Sequence, residues 1–212
     1  MEVVLGNRGK CAQPCRLPYE LLDSSKKSVD KGYLLSPRDL CGIEYLPKLV
    51  NSGIKCLKVE GRLKSPEYVA TVTRIYRKYL DLAISDMNKN TYEQCSSLQD
   101  ADKLHLMQVF NRGGFSEGHL SSDANTNLIY KQKPNHMGLT LGKIISYNPK
   151  KGYIKLKLEN NISIGDSIQV EKENNNYNVS ELLLNGANIK TANIGDIVEI
   201  GRLKGNISID DK

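Results

Sequence analysis

The sequence predicts a mixed architecture, with α/β units first and an all-β domain after them. Three observations carry this. Two short apolar runs, Gly32–Leu35 and Ile54–Val59, each lead to helix-start chemistry, Ser36-Pro37-Arg38-Asp39 and Ser65-Pro66-Glu67. Behind the second start, Val69, Val72, Tyr76, Tyr79, Leu80 and Ala83 recur at helical spacing on one face, with Arg74, Arg77 and Lys78 largely off it. From Met137 onward the pattern changes to short runs broken by polar turns, with alternation clearest in Tyr153-Ile154-Lys155-Leu156-Lys157-Leu158.

Taken in order, residues 1–18 read as loop and Tyr19–Leu22 as a short strand. A polar turn covers Asp23–Lys31, and Gly32–Leu35 reads as a second strand. Ser36-Pro37 opens a helix to about Asn51, buried on Leu40, Ile43, Leu46 and Val50. Pro47 should kink or stop it early, and Gly53 is a good terminator. Ile54–Val59 has the length and β-branching of a buried strand, and Cys56 falls within it as a packed residue. Ser65 offers an oxygen to an orphan N–H, Pro66 suits the first helical position, and Glu67 suits the positive end of the helix dipole. Two strand–helix units in succession belong to a parallel sheet or a TIM-like (β/α) barrel, but two units cannot close a barrel. The expectation is the C-terminal part of such a barrel in residues 1–85, within a fragment of a longer polypeptide. Residues 86–136 read as a linker containing a short helix, Asp100–Phe110, and a Gly-rich loop, Asn111–Leu120. Residues 137–205 read as a small β-barrel with strands at Leu139–Tyr147, Gly152–Leu158, Asp166–Lys172, Tyr177–Leu184 and Asp196–Ile200. Ile164-Gly165-Asp166 is echoed by Ile194-Gly195-Asp196, and residues 206–212 read as a polar tail with no closing element.

Composition narrows the function. A net charge of +6 and a pI near 8.9 admit an RNA or other polyanion partner without demanding one. No apolar run reaches the ~18–20 residues that span a bilayer, and MEVVLGNRGK lacks a signal-peptide pattern, so a cytoplasmic protein is expected. Five cysteines in 212 residues without such a signal do not suggest a disulfide framework; reduced or metal-bound thiols fit better.

Several residues are candidates for chemistry. Glu60, Arg62 and Lys64 follow the expected strand, where α/β proteins place functional groups. Cys11 and Cys15 sit four apart in a Gly/Pro loop, with Arg8, Lys10 and Arg16 nearby to favour thiolate, and Cys41 follows the next strand. That spacing permits ligation without requiring it, and Cys95 lies in a polar linker. His105, His119 and His136 all follow the α/β units. There is no GxSxG, HExxH or phosphate-binding glycine loop of the common kinds. Basic residues alternate with aromatics at Tyr68–Tyr79, where Tyr76 and Tyr79 belong to the apolar stripe, and at Arg112 with Phe115.

The blocks GNRGKCAQPCR, LLSPRDLCGIEYLPKL, GIKCLKVEGRLKSPEYVATVTRIYRKYLD and VFNRGGFSEGHL together resemble the U-32 peptidase family of collagenase-like proteases. The following MGLTLGKI…IGDSIQV region looks like the accessory β-domain of its long bacterial members, so the resemblance covers about residues 5–205. It implies a TIM-like barrel with Glu60 and Arg62 at its mouth as catalytic candidates. It also implies one of two activities: proteolysis, as the family name says, or hydroxylation of tRNA or rRNA, the work of better-understood relatives. By resemblance, Cys11, Cys15 and Cys41 would ligate a 4Fe-4S cluster, with the fourth ligand outside this chain or unidentified and the choice within the Cys11/Cys15 pair open. Lys64, Arg112 and Phe115 would contact RNA. A partner subunit, the remainder of a longer polypeptide, or an inactive truncated fragment also fit the resemblance.

Overall fold

The computed structural model describes residues 11–62, 64–89, 98–121, 128–172 and 175–212. Cys95, most of the linker around it and the first ten residues therefore lie outside the described part. The chain divides into two compact units, Met1–Gly138 and Leu139–Lys212.

In the first unit, β1 (Tyr19–Leu22) and β2 (Ser28–Gly32) form an antiparallel hairpin. The expected Asp23–Lys31 turn is shorter than its polarity suggests. The Asp23 carboxylate accepts the N–H groups of Ser25 at 2.8 Å and Lys27 at 2.9 Å, closing the turn early, so the strand begins at Ser28. The strand expected at Gly32–Leu35 is correspondingly displaced. Beyond Gly32 the chain turns, with the Ser36 N–H donating to the Tyr33 carbonyl at 2.9 Å.

The expected helix from Pro37 to Asn51 is also divided. Asp39–Leu40 is β3, Ile43–Tyr45 is a 3₁₀ turn, and only Leu46–Asn51 is α-helix, α1. Pro47 lies in the first turn of α1, where its missing N–H costs nothing, so it starts this helix instead of kinking a longer one. Gly53 ends it with φ of 82°.

Ile54–Val59 forms no strand. It is exposed coil, Cys56 included, because a strand needs a ladder partner and none pairs with this segment among the described residues. Helix α2 (Pro66–Lys89) begins as the sequence indicates, with Ser65 Oγ accepting the Tyr68 N–H at 3.2 Å. Val69 is exposed and Ile75 takes the central place on the buried face. Helix α3 (Asp100–Val109) packs on α2. Ile43, Leu46, Val72, Ile75, Tyr79, Ala83 and Leu106 form the core. Within it the Tyr79 hydroxyl donates to Asp102 at 3.0 Å and accepts the Gln99 N–H at 2.8 Å, and Lys78 pairs with Asp102 at 2.7 Å. The only parallel ladder among the described residues joins β3 to β4 (Phe115–Ser116). The unit is thus mixed α/β with small sheets, and no closed barrel forms among the described residues; the TIM-like barrel is not seen.

The second unit is antiparallel. Its strands in chain order are β5 (Ile144–Asn148), β6 (Tyr153–Lys157), β7 (Ile162–Ser163), β8 (Ser167–Gln169), β9 (Asn176–Asn178), β10 (Leu182–Leu184), β11 (Ala187–Asn188), β12 (Thr191–Ala192) and β13 (Ile197–Ile200). Five of them form the main sheet, in the order β11-β10-β13-β6-β5. Two further ladders join β7 to β12 and β8 to β9. One core, including Leu182, Val198 and Ile200, joins the strands other than β11, whose two residues are exposed.

The echoed Ile-Gly-Asp phrase is a structural device that occurs three times. In Ser163–Asp166, Asn193–Asp196 and Ser208–Asp211 the final carboxylate accepts the first residue's N–H at 2.8 Å. The third residue of each turn has positive φ: 96° at Gly165, 94° at Gly195 and 68° at Asp210. Its N–H donates to the carbonyl of a buried residue, Val179, Leu158 or Ile144 respectively, and that residue's N–H returns to the aspartate carbonyl. The expectation of a tail without a closing element is therefore corrected. Residues 208–211 are the third copy of the turn, and Ile207 is buried. The third copy escapes a sequence reading because aspartate replaces the glycine.

Candidate functional site

The side chains with the most chemical potential in the first unit converge around Asp39 and the Gly-rich loop. Asn111 organises that loop. Its Nδ2 donates to the carbonyls of Met107 at 2.7 Å and Gly138 at 2.9 Å, and its Oδ1 accepts the Gly114 N–H at 3.1 Å. Gly113 has φ of 76°, and a Cβ there would fall 2.2 Å from the Tyr130 ring, so the turn requires glycine. Arg38 closes the loop from outside by donating to the Gly113 carbonyl.

This scaffold presents Arg112 beside β3. The Arg112 guanidinium grips Asp39 with two hydrogen bonds, Nε to Oδ2 at 3.1 Å and Nη2 to Oδ1. The Arg112 guanidinium also lies 5.4 Å from the centre of the Phe110 ring. Lys64, just ahead of α2, sets its ammonium 2.7 Å from the centre of the same ring and 5.5 Å from that of Tyr68. His136 stacks on Phe110 at 5.2 Å, and Tyr68 meets Phe110 edge-on at 6.1 Å. His136 Nδ1 accepts the Asn111 N–H at 3.1 Å, which ties the ring stack to the loop. Arg16 donates to Ser36 Oγ at 2.6 Å and to the Pro37 carbonyl at 3.0 Å.

Among the described residues Asp39 thus pairs with Arg112 alone, while its charge is also felt by Lys64 and Arg16. Burial pushes the Lys64 ammonium down to about 8, with Arg112 and Arg16 lowering it further and Asp39 opposing. Burial and the neighbouring Arg112 also lower Arg16 from its ordinary value. Chemically, the arrangement is a partly desolvated positive centre suited to an oxyanion. The Phe110 ring is flanked by Lys64 and His136, so its role is to support the cation.

Of the residues singled out from sequence, Lys64 and Arg112 come together here. Phe115 does not join them: it lies in β4 and packs against the helical core. Glu60 is exposed and pairs with Lys58 at 2.9 Å, and Arg62 is exposed. The sequence does not single out Arg16, Asp39 and Phe110 as members of this site. Only their basic, acidic and aromatic character signals them, since their contacts span most of the unit in sequence.

Cys11, Cys15 and Cys41 are free thiols, the donor type an iron–sulfur cluster uses. Cys11 is exposed, and its sulfur accepts the Gln13 N–H at 3.3 Å. Burial pushes the Cys41 thiol up, away from thiolate. No group of three or more metal-binding side chains assembles among the described residues.

The family model for peptidase family U32 matches residues 1–129. The chain belongs to that family. A protein of Porphyromonas gingivalis named collagenase is 33% identical over 77% of this chain and 45% of its own length. The tRNA hydroxylation protein P1 of Bacillus subtilis is 31% identical over 77% of this chain and 39% of its own. The 23S rRNA 5-hydroxycytidine C2501 synthase of Escherichia coli is 27% identical over 77% of this chain and 25% of its own. The chain therefore spans less than half the length of these relatives.

Proposed function

We propose that this chain belongs to a protein that hydroxylates tRNA or rRNA and that the Arg16–Lys64–Arg112 cluster faces the RNA. The observation that carries the reading is the excess of positive charge around Asp39, in a family whose relatives include proteins named for RNA hydroxylation. RNA binding rests largely on neutralising phosphates, which such a centre serves directly. Arg112 is held in place by Asp39, while Lys64 makes no ion pair among the described residues and stays available to an incoming anion. A cytoplasmic location follows from that reading; among the described residues no helix is long and apolar enough to cross a membrane.

Nucleoside mass spectrometry tests the activity. A strain lacking the full-length protein should lose a hydroxylated tRNA or rRNA nucleoside, and restoring the protein with Lys64→Gln should recover less of it than restoring the unaltered protein. An unchanged nucleoside profile, together with peptide cleavage by the purified protein, would favour the collagenase-type activity instead. An iron–sulfur cluster on Cys11 or Cys15 and Cys41 is a separate part of the proposal. Anaerobically purified full-length protein should then contain iron that Cys41→Ser diminishes, and iron-free protein would remove the cluster.

A further inference from the structure

We propose that Arg16, Lys64 and Arg112 form one discrete phosphate-binding site, resting on the RNA reading only for the molecule that carries the phosphate. The geometry sets Lys64 and Arg112 against one Phe110 ring, with Arg16 near enough for its charge to act on both. Arg112 has one guanidinium edge committed to Asp39 and Arg16 has one nitrogen committed to Ser36 and Pro37. Lys64 has no carboxylate partner among the described residues; its ammonium rests on the Phe110 ring. A cation withdrawn from water without a counter-ion is costly unless an anion arrives or a proton leaves. Phosphate matches the need for several acceptors, since its oxygens can reach an ammonium and guanidinium edges together.

This arrangement has a consequence for protons. The charged groups facing Lys64 are Arg112, Arg16 and Asp39, with Tyr68 and the Phe110 ring against its ammonium and the titratable His136 stacked on that ring. With its ammonium lowered to about 8, Lys64 is only partly charged at pH 8, and a bound phosphate favours the charged form. Phosphate binding at that pH should therefore be coupled to proton uptake by Lys64.

The test is calorimetry of the 212-residue chain with inorganic phosphate at pH 8, in two buffers of different ionisation enthalpy. Binding with proton uptake is expected. Lys64→Gln should weaken it about tenfold or more, and Lys64→Arg should restore binding without proton uptake. Circular dichroism should show both variants folded. Binding by Lys64→Gln equal to that of the unaltered chain, or the absence of proton uptake, would overturn the proposal. Competition identifies the carrier. Equal competition by phosphorylated and dephosphorylated RNA oligomers assigns a backbone phosphate, and competition only by the phosphorylated oligomer assigns a terminal one. Competition by a nucleoside monophosphate but by neither RNA leaves the phosphate site standing and removes the RNA reading.

Discussion

The two units use their carboxylates differently. In the second unit Asp166, Asp196 and Asp211 each hold a tight turn by accepting a backbone N–H. In the first, Asp39 holds an arginine, and Lys64 and Arg16 lie near it with no carboxylate paired to either among the described residues. Structural carboxylates complete a backbone; the Asp39 carboxylate leaves a surplus of charge that calls for an external partner. Repetition in one unit signals folding, and the imbalance in the other is what the proposed phosphate site rests on.

The largest effect should come from the second unit's core. Leu182→Ala removes a fully buried side chain and should destabilise by ~2–5 kcal/mol in urea unfolding; a loss below about 1 kcal/mol would show that this core is not the stabilising centre. A smaller effect is expected from Asp196→Ala, about 1 kcal/mol by analogy with helix-cap carboxylates, and an unchanged urea midpoint would deny that turn its structural role. Removing residues 206–212 should lower the midpoint further than Asp196→Ala, because Ile207 and the whole third turn are lost together.

The first unit should respond through pH. Lys64 holds fewer protons folded than unfolded between about 8 and its ordinary value, so its contribution to stability rises with pH across that window. Below about 8 it stays charged and its desolvation weighs against folding. Lys64→Met should lower the urea midpoint at pH 10 relative to that at pH 7, by comparison with the same difference in the unaltered chain. An identical pH dependence in the two proteins would contradict the desolvated site.

The parts legible in the sequence were those set by local chemistry. Ser65, Pro66 and Glu67 marked the start of α2, and the stripe through Val72, Tyr79 and Ala83 marked its buried face. Ile54–Val59 misled because β-branched composition describes a strand's suitability but does not supply its partner. Pro47 misled because the same residue breaks a long helix and begins a short one. Lys64 and Arg112 were legible as basic loop residues. Their convergence on Phe110 was not, because it depends on the end of α3 meeting the start of α2.

The most direct measurement of the central claim is RNA affinity as a function of salt for the unaltered chain, for Lys64→Gln, and for Lys150→Gln/Lys151→Gln in the β5–β6 turn. Lys64→Gln should weaken binding and lower the salt slope by about 0.7–1, while the paired change in the second unit should have a smaller effect on affinity. Equal affinity and slope for Lys64→Gln and the unaltered chain would contradict that claim.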